Sequence, residues 1–519
     1  MGRAVFTGED RVHKTVTLAV TCVGFFMVLL DASIVTVALP TIQSDLSASL
    51  SGLQWVIDAY TLTFAVLLLT YGTLGDKYGR KKIFSVGLVL FTVGSLLCGI
   101  APNLALLNAG RAIQGIGGAA LAPASLSLLA AAFPDSRERT RAISLWAAIS
   151  GVALAAGPIV GGALIVGFGW RAVFFVNLPI GMGCLAFGTK ALRESTNPTA
   201  GRFDLPGQLT SIAGLTALTY AFIEGNTKGW SSPVIVGCFA AAAGLLTAFI
   251  AVERRSAAPM LPMGFFRDRV FTAASTITFL AGFALLSSVF FVSQFFQEVQ
   301  GNSAIGSGVR TLPTTTAIFL LAPLAGKLAA DRGFRLPIAL GGLLAGAGML
   351  ALIGVHADTG YGRIWWALAL IGGGFGLMLS PLSAAVLSAV SPQRSGLASS
   401  TLNVSRQVGA VIGVALLGAL VQARIATHVA SELAATALPD AVKHTAAGTI
   451  SKAGAAAKPP AIGLPGVAPD RLHTIVADSF ANAIHGAFLT NGVLLLTAAA
   501  LAALFLHKPT VAIDPPPGQ

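Results

Sequence analysis

Charge is scarce in this sequence. Only 10% of its 519 residues are Asp, Glu, Lys or Arg, against about 25% in a soluble globular domain. Cysteine is scarce too: Cys22, Cys98, Cys184 and Cys238 stand singly inside apolar segments. That spacing excludes a disulfide framework and a thiolate metal site, and marks them as small buried hydrophobes. No Gly-x4-Gly-Lys-Ser/Thr loop is present, which argues against an ATP-driven pump. No clustered His/Cys/Asp ligands and no nucleophile constellation point to an enzyme, and no metal is expected. What is abundant is hydrocarbon. The chain is 55% hydrophobic with a mean hydropathy of +0.79. The formal net charge of +12 would point to nucleic acid in a soluble protein. Here the cations sit in short loops between apolar runs, so the expected partner is the lipid bilayer, not nucleic acid.

Apolar runs fall at roughly 16–39, 52–74, 83–101, 104–132, 140–166, 171–191, 205–224, 233–252, 269–296, 306–328, 336–356, 363–389, 398–422 and 481–506. Each approaches the length needed to cross a hydrocarbon core of about 30 Å. The expectation is an all-α polytopic membrane protein with fourteen spans. The first run follows Arg3, Arg11 and Lys14 but is long and contains Asp31, so it reads as an uncleaved first helix. Alternate loops carry the cations, among them Lys77, Arg80, Lys81 and Lys82, then Arg137, Arg139 and Arg141, and later Lys327, Arg332 and Arg335. By the positive-inside rule both termini are then cytoplasmic. Gly326-Lys-Leu-Ala-Ala-Asp-Arg-Gly333 echoes Gly72–Gly79 with its acid one residue late, a weak sign of two similar halves. The expected division is 1–200 for a first six-helix bundle, 201–260 for two inserted helices, and 261–422 for helices 9–13. An extracytoplasmic loop at 423–480 and a last helix with a cytoplasmic tail at 481–519 follow. The 423–480 segment is rich in Ala, Pro and Gly and is expected to lack regular structure, apart from a surface helix near 425–437.

Ionisable groups inside a bilayer are costly, so each is a functional candidate. Asp31 and Asp58 lie at similar depth in the first two runs, on the order of 10–13 Å from the outer surface at 1.5 Å per residue. Such a site suits reversible protonation or contact with a cation; bracing a neighbouring helix is the plain alternative. Trp55 and Tyr60 flank Asp58 and offer faces for a cationic or aromatic substrate, though Trp55 also suits an interfacial belt. Arg111, opening Arg-Ala-Ile-Gln-Gly-Ile-Gly-Gly-Ala-Ala120, needs a carboxylate partner on a neighbouring helix. In Gly151-Val-Ala-Leu-Ala-Ala-Gly-Pro-Ile-Val-Gly-Gly162, Pro158 removes a backbone donor, and Gly151, Gly157, Gly161 and Gly162 permit close helix approach.

Several of these stretches resemble one family. The pattern Gly72, Leu74, Asp76, Gly79, Arg80, Lys81 resembles the loop between helices 2 and 3 of the major facilitator superfamily. Arg111, Gln114 and Gly115 resemble its helix 4 motif, associated there with proton coupling. Gly-Pro-x-x-Gly-Gly resembles the helix 5 signature of its exporting members. Leu30–Pro40, Trp170–Gly181, Phe203–Gly207 and the trio Asn403, Arg406, Gly409 are similar to the fourteen-helix drug:proton antiporters. The resemblance covers nearly the whole chain. It implies two six-helix bundles plus two inserted helices, and a cytoplasmic-membrane protein working as a monomer by alternating access. The implied activity is proton-coupled efflux of small amphipathic, cationic or aromatic drugs, with protons as coupling ion and no cofactor. Asp31, Asp58 and Arg111 would handle protons or substrate; Trp55, Tyr60, Gln114, Asn403 and Arg406 are possible substrate contacts. Asp76, Arg80 and Lys81 would bias conformations. Unlike some multidrug members, the chain has no acid in 306–328 or 398–422, which leaves divalent-cation recognition unsupported. Export of a lipid or a self-made antibiotic, nutrient import and a polytopic membrane enzyme remain open alternatives.

Overall fold

A computed structural model describes residues 8–196, 204–256, 259–390, 394–434, 440–453 and 469–506. Among the described residues there is no strand. The helices are α1 (Gly8–Leu46), α2 (Leu50–Tyr78), α3 (Arg80–Gly99), α4 (Leu104–Ala132), α5 (Ser136–Phe168), the short α6 (Ala172–Phe175) and α7 (Asn177–Ala191). The inserted pair is α8 (Leu205–Lys228) and α9 (Pro233–Arg255). Then come α10 (Arg269–Gln294), α11 (Ala304–Arg310), α12 (Leu312–Arg332), α13 (Arg335–Ala351), α14 (Trp365–Ser388), α15 (Ser395–Ala434), α16 (Asp440–Ala453) and α17 (Pro469–Phe505). Each of the fourteen apolar runs falls on helix. Eleven described helices are both long and apolar enough to cross a membrane. The runs on α8 and α13 are helical but fall short of that combination; α13, at 17 residues, spans about 26 Å.

Contacts sort the helices into one bundle of α1–α7 and a second of α10 and α12–α15 with α17; the short α11, which leads into α12, rests mainly on α5, and α9 mainly on α8. Chain direction alternates, so every basic loop named above lies at one end of the molecule. That end is called here the basic end, and its opposite the far end.

Glycine sets the closeness of α3 and α4. A Cβ on Gly117 would come 2.5 Å from the Phe91 nitrogen and 2.7 Å from the Gly87 carbonyl oxygen; one on Gly94 would meet the Gln114 nitrogen at 2.7 Å. Backbone therefore touches backbone, the packing mode of helices that lipid cannot push together hydrophobically.

The 423–480 segment differs from expectation. α15 continues unbroken to Ala434, α16 packs against it, and α17 begins at Pro469. Ile425, Val429 and Leu433 recur every fourth residue, are buried, and share one apolar cluster with Ala446, Ala447 and Ile450. A stripe of that kind folds a helix without forming a continuous apolar run. Residues 435–439 and 454–468 of the segment lie outside the described residues.

Replacing Gly117 by Val should overpack the α3–α4 seam and cost about 1–3 kcal/mol, read as a lower melting temperature of the purified protein. Gly244→Ala, where a Cβ meets nothing within 4 Å, should leave it unchanged.

Candidate functional site

Arg111 is the largest fully buried side chain, 1% exposed, and Asp31 is 0% exposed. Their ion pair closes at 2.6 Å, Arg111 Nη1 to Asp31 Oδ2. Arg111 Nε donates to the Val56 carbonyl at 3.0 Å, and Nη1 also reaches Gln114 Oε1 at 2.8 Å. The guanidinium stacks 4.3 Å from the Tyr60 ring centre, a cation–π contact. The second Asp31 oxygen accepts from Gln114 Nε2 at 3.1 Å and from Asn177 Nδ2 at 2.9 Å. Ser95 Oγ accepts from the same two amides, at 2.7 and 3.3 Å. Five helices thus meet on one charge pair: α1, α2, α3, α4 and α7.

This arrangement settles where several expected residues point. Arg111 has its carboxylate partner on a neighbouring helix, and Gln114 joins the same network. Tyr60 is turned to Arg111, and its hydroxyl donates to the Val28 carbonyl at 3.4 Å. Trp55 faces the inserted hairpin: its indole donates to Glu224 Oε1 at 3.1 Å and packs against Tyr220, both on α8. Asn403 and Arg406 stand apart on α15, with Arg406 Nη2 donating to Asn403 Oδ1 at 3.0 Å.

Asp58 contrasts with Asp31. It is fully buried, and neither carboxylate oxygen has a hydrogen-bond partner among the described residues. It lies one helical turn from Gln54, whose Nε2 donates to the Val414 and Ala415 carbonyls of α15 at 2.9 and 3.1 Å. Residues four apart share a helix face, so Asp58 belongs to the stripe of α2 that meets the second bundle.

Hydrogen bonds joining the bundles gather at the far end. Besides Gln54, Ser293 Oγ donates to the Thr36 carbonyl at 3.0 Å and Gln297 Nε2 to the Val37 carbonyl at 3.0 Å. The glycine-proline segment of α5 completes this seam from two sides. Toward α1, a Cβ on Gly157 would strike the Ser33 side chain, and one on Gly161 would lie 3.0 Å from Ile34 Cγ2. Toward α11, a Cβ on Gly162 would come 2.5 Å from Ile305 Cα, while the Pro158 carbonyl rests against Gly308. Gly151 shares the helix, but its surroundings lie outside the described residues.

At the basic end, Gly79 holds φ +113°, a backbone state that side chains rarely adopt. A Cβ there would sit 2.5 Å from the Glu194 carboxyl carbon. Glu194 was not singled out from the sequence. Its carboxylate accepts from the Lys81 and Lys82 backbone nitrogens at 2.9 and 3.1 Å, capping the N-terminus of α3. Lys81 Nζ donates to the Thr189 carbonyl at 2.7 Å. Arg80 pairs with Asp76 at 2.8 Å. That pair is partly solvated and contributes about 0.3–0.5 kcal/mol, so it orients the loop more than it stabilises the fold. Gly72 is looser: a Cβ would meet Pro123 only at 4.0 Å. In the second bundle the corresponding echo borders a cleft of about 640 Å³ lined by Gly326, Asp331, Gly333 and Pro381.

Ser95 and Asn177 also escaped the sequence reading as site residues. Uncharged polar residues are common in apolar runs, and nothing in their spacing marks them. Asn177 stood within a stretch noted only for its resemblance.

Comparison with known proteins follows from this geometry. The sequence profile of the Major Facilitator Superfamily matches residues 21–414. The multidrug resistance protein Stp of Mycobacterium tuberculosis is 39% identical over 432 residues, covering 83% of this chain and 80% of that protein. The tetracenomycin C resistance and export protein of Streptomyces glaucescens is 34% identical over 493 residues, 95% of this chain and 91% of its own. Among solved structures, the inward-facing, unoccupied form of a bacterial homolog of the human lysosomal transporter Spinster superposes with a TM-score of 0.66. It is 17% identical and covers 95% of this chain and 96% of its own.

Removing one member of the central pair should be costly. Arg111→Gln leaves the Asp31 charge buried and should destabilise by about 3–5 kcal/mol. The double variant Asp31→Asn/Arg111→Gln should lose less than the two single variants combined, because no unpaired charge remains. Thermal unfolding of the four proteins closes the cycle, and strict additivity would refute the coupling.

Proposed function

This chain belongs to the major facilitator superfamily, and we propose that it exports amphipathic drugs or antibiotics across the cytoplasmic membrane in exchange for protons. It is a multi-pass membrane protein whose relatives include resistance and export proteins. The positive-inside rule puts the basic end, with both termini, in the cytoplasm. The seam at the far end then closes the outer side, the arrangement of a carrier loading its cargo from within. The two bundles rock about the midplane, working as a monomer without a cofactor other than the coupling proton.

One observation carries the coupling: Asp58, a buried carboxyl with no partner, on the α2 stripe that meets the second bundle. Such a group gains a partner by taking up a proton or a cationic substrate, and holding one displaces the other. That competition is the elementary requirement of antiport. Asp31, already bonded through both oxygens, serves with Arg111, Gln114 and Asn177 as the frame that holds α2 in register. The Gly157–Gly162 segment forms the outer seam that must part, and Asp76, Arg80 and Lys81 latch the inner loop to α7. Asn403 and Arg406 offer contacts from the other bundle.

Proteoliposomes with an imposed pH gradient and ethidium, a cationic aromatic dye, test the reading. Wild-type protein should move dye only with the gradient, and Asp58→Asn should fall to the rate of empty liposomes. Dye movement that ignores the gradient removes proton coupling. Gradient-driven transport at the wild-type rate in Asp58→Asn removes this residue from the mechanism. If a sealed gradient moves no dye at all, the proposed class of cationic aromatic cargo is wrong.

A further inference from the structure

Two further buried carboxylates lie away from the Asp31 cluster, where the inserted hairpin α8–α9 ends on the basic side. Asp204 caps α8, its Oδ1 accepting from the Gly207 nitrogen at 2.9 Å. Glu253, in the last turn of α9, accepts on Oε2 from the Leu261 nitrogen at 3.0 Å. Their other oxygens, Asp204 Oδ2 and Glu253 Oε1, have no hydrogen-bond partner among the described residues. The two residues are only 7% and 2% exposed. Both lone oxygens border the same small space beside Gly207. A Cβ on Gly207 would lie 2.9 Å from Asp204 Oδ2 and 2.8 Å from Glu253 Oε1, so glycine keeps open the space between them.

Two ionised carboxylates facing each other repel, and one oxygen of each lacks a donor among the described residues. Among the described residues, the charged groups on the adjoining segments are Arg254 and Arg255 of α9, Arg267 of the turn 263–267, and the pair Asp268 and Arg269 that follows it, where Asp268 caps α10. All five are exposed. The ion pairs among the described residues involve other partners. No third His, Cys, Asp or Glu joins the two acids into a metal-binding group among the described residues. A donor set of two carboxyl oxygens therefore fits the smallest cation. We propose that Asp204 and Glu253 form a proton-binding site, one carboxyl hydroxyl donating to the facing carboxylate oxygen. One proton from solvent at the basic end enters, the pair then carries a single negative charge, and no other bond changes.

The position of this site gives the proton a mechanical effect. Gln208, the residue after Gly207, donates to the Val66 carbonyl at 2.8 Å and accepts from Thr70 Oγ1, both on α2. Proton occupancy therefore decides how firmly the base of the hairpin is held beside α2. The inference is independent of what drives transport, since it concerns a different pair of residues.

Infrared spectroscopy of the full chain in proteoliposomes, titrated from about pH 6 to 9, reads the proton directly. In an Asp58→Asn background, which removes the other unpartnered buried carboxyl, a protonated-carboxyl band should be present at the acid end, fade on alkalinisation, and be missing once Glu253→Gln is added. Stability follows by linkage. A proton bound in the folded state and not in the unfolded one stabilises at low pH, so the wild-type melting temperature should fall as pH rises through this window. Asp204→Asn keeps the α8 cap, because Asn caps as well as Asp, and its amide supplies the missing donor permanently. That variant should fold and lose this component of the pH dependence. The proposal fails if the band persists in both variants, or if Asp204→Asn retains the full wild-type pH dependence. It also fails if NaCl or MgCl2 at fixed pH stabilises the wild type but not Asp204→Asn, which would assign the site to a metal cation.

Discussion

A guanidinium sealed inside a helical bundle is the condition the first half of this molecule is built around. Arg111 cannot lose its charge, and water cannot reach it. Asp31 balances the charge, the Val56 carbonyl and Gln114 take its N–H groups, and the Tyr60 ring covers its face. Such a pair adds little net stability, because desolvation offsets most of the attraction. Its value is specificity. Rotating any of the contributing helices by one residue would strand a charge or an amide, so the register of α1, α2, α4 and α7 is set together.

That same interdependence explains how much was readable beforehand. The apolar runs placed every membrane-length helix, since a span is a local property of composition. The need of Arg111 for an acid on a neighbouring helix was also legible, because burying a lone cation is prohibitive wherever it occurs. Which acid would answer depended on helix rotation, and rotation is a tertiary outcome. Asp31 and Asp58 looked alike in sequence; one is bound on both oxygens and the other on neither. The neighbours of Trp55 were hidden for a related reason: the inserted helix α8 packs beside it, and no pattern within 52–74 announces what packs outside.

Residues that act through backbone were the hardest to find. Glu194 caps α3 across more than a hundred positions of sequence, and its own segment carries no periodic signal. The helix expected near 425–437 proved to be an unbroken, buried continuation of α15, because the stripe of Ile425, Val429 and Leu433 finds apolar partners in α16. In both cases long-range packing decided the structure.

The seam between the bundles has a character of its own. Gln54, Ser293 and Gln297 all bond to main-chain carbonyls, of Val414, Ala415, Thr36 and Val37. A carbonyl belongs to the peptide unit and survives any exchange of the side chain beside it. The acceptor half of this seal is thus invisible to point mutation. What constrains it is room: Gly418 of α15 must stay small, since a Cβ there would strike the Gln54 side chain. A carrier built this way can drift in what it accepts without beginning to leak.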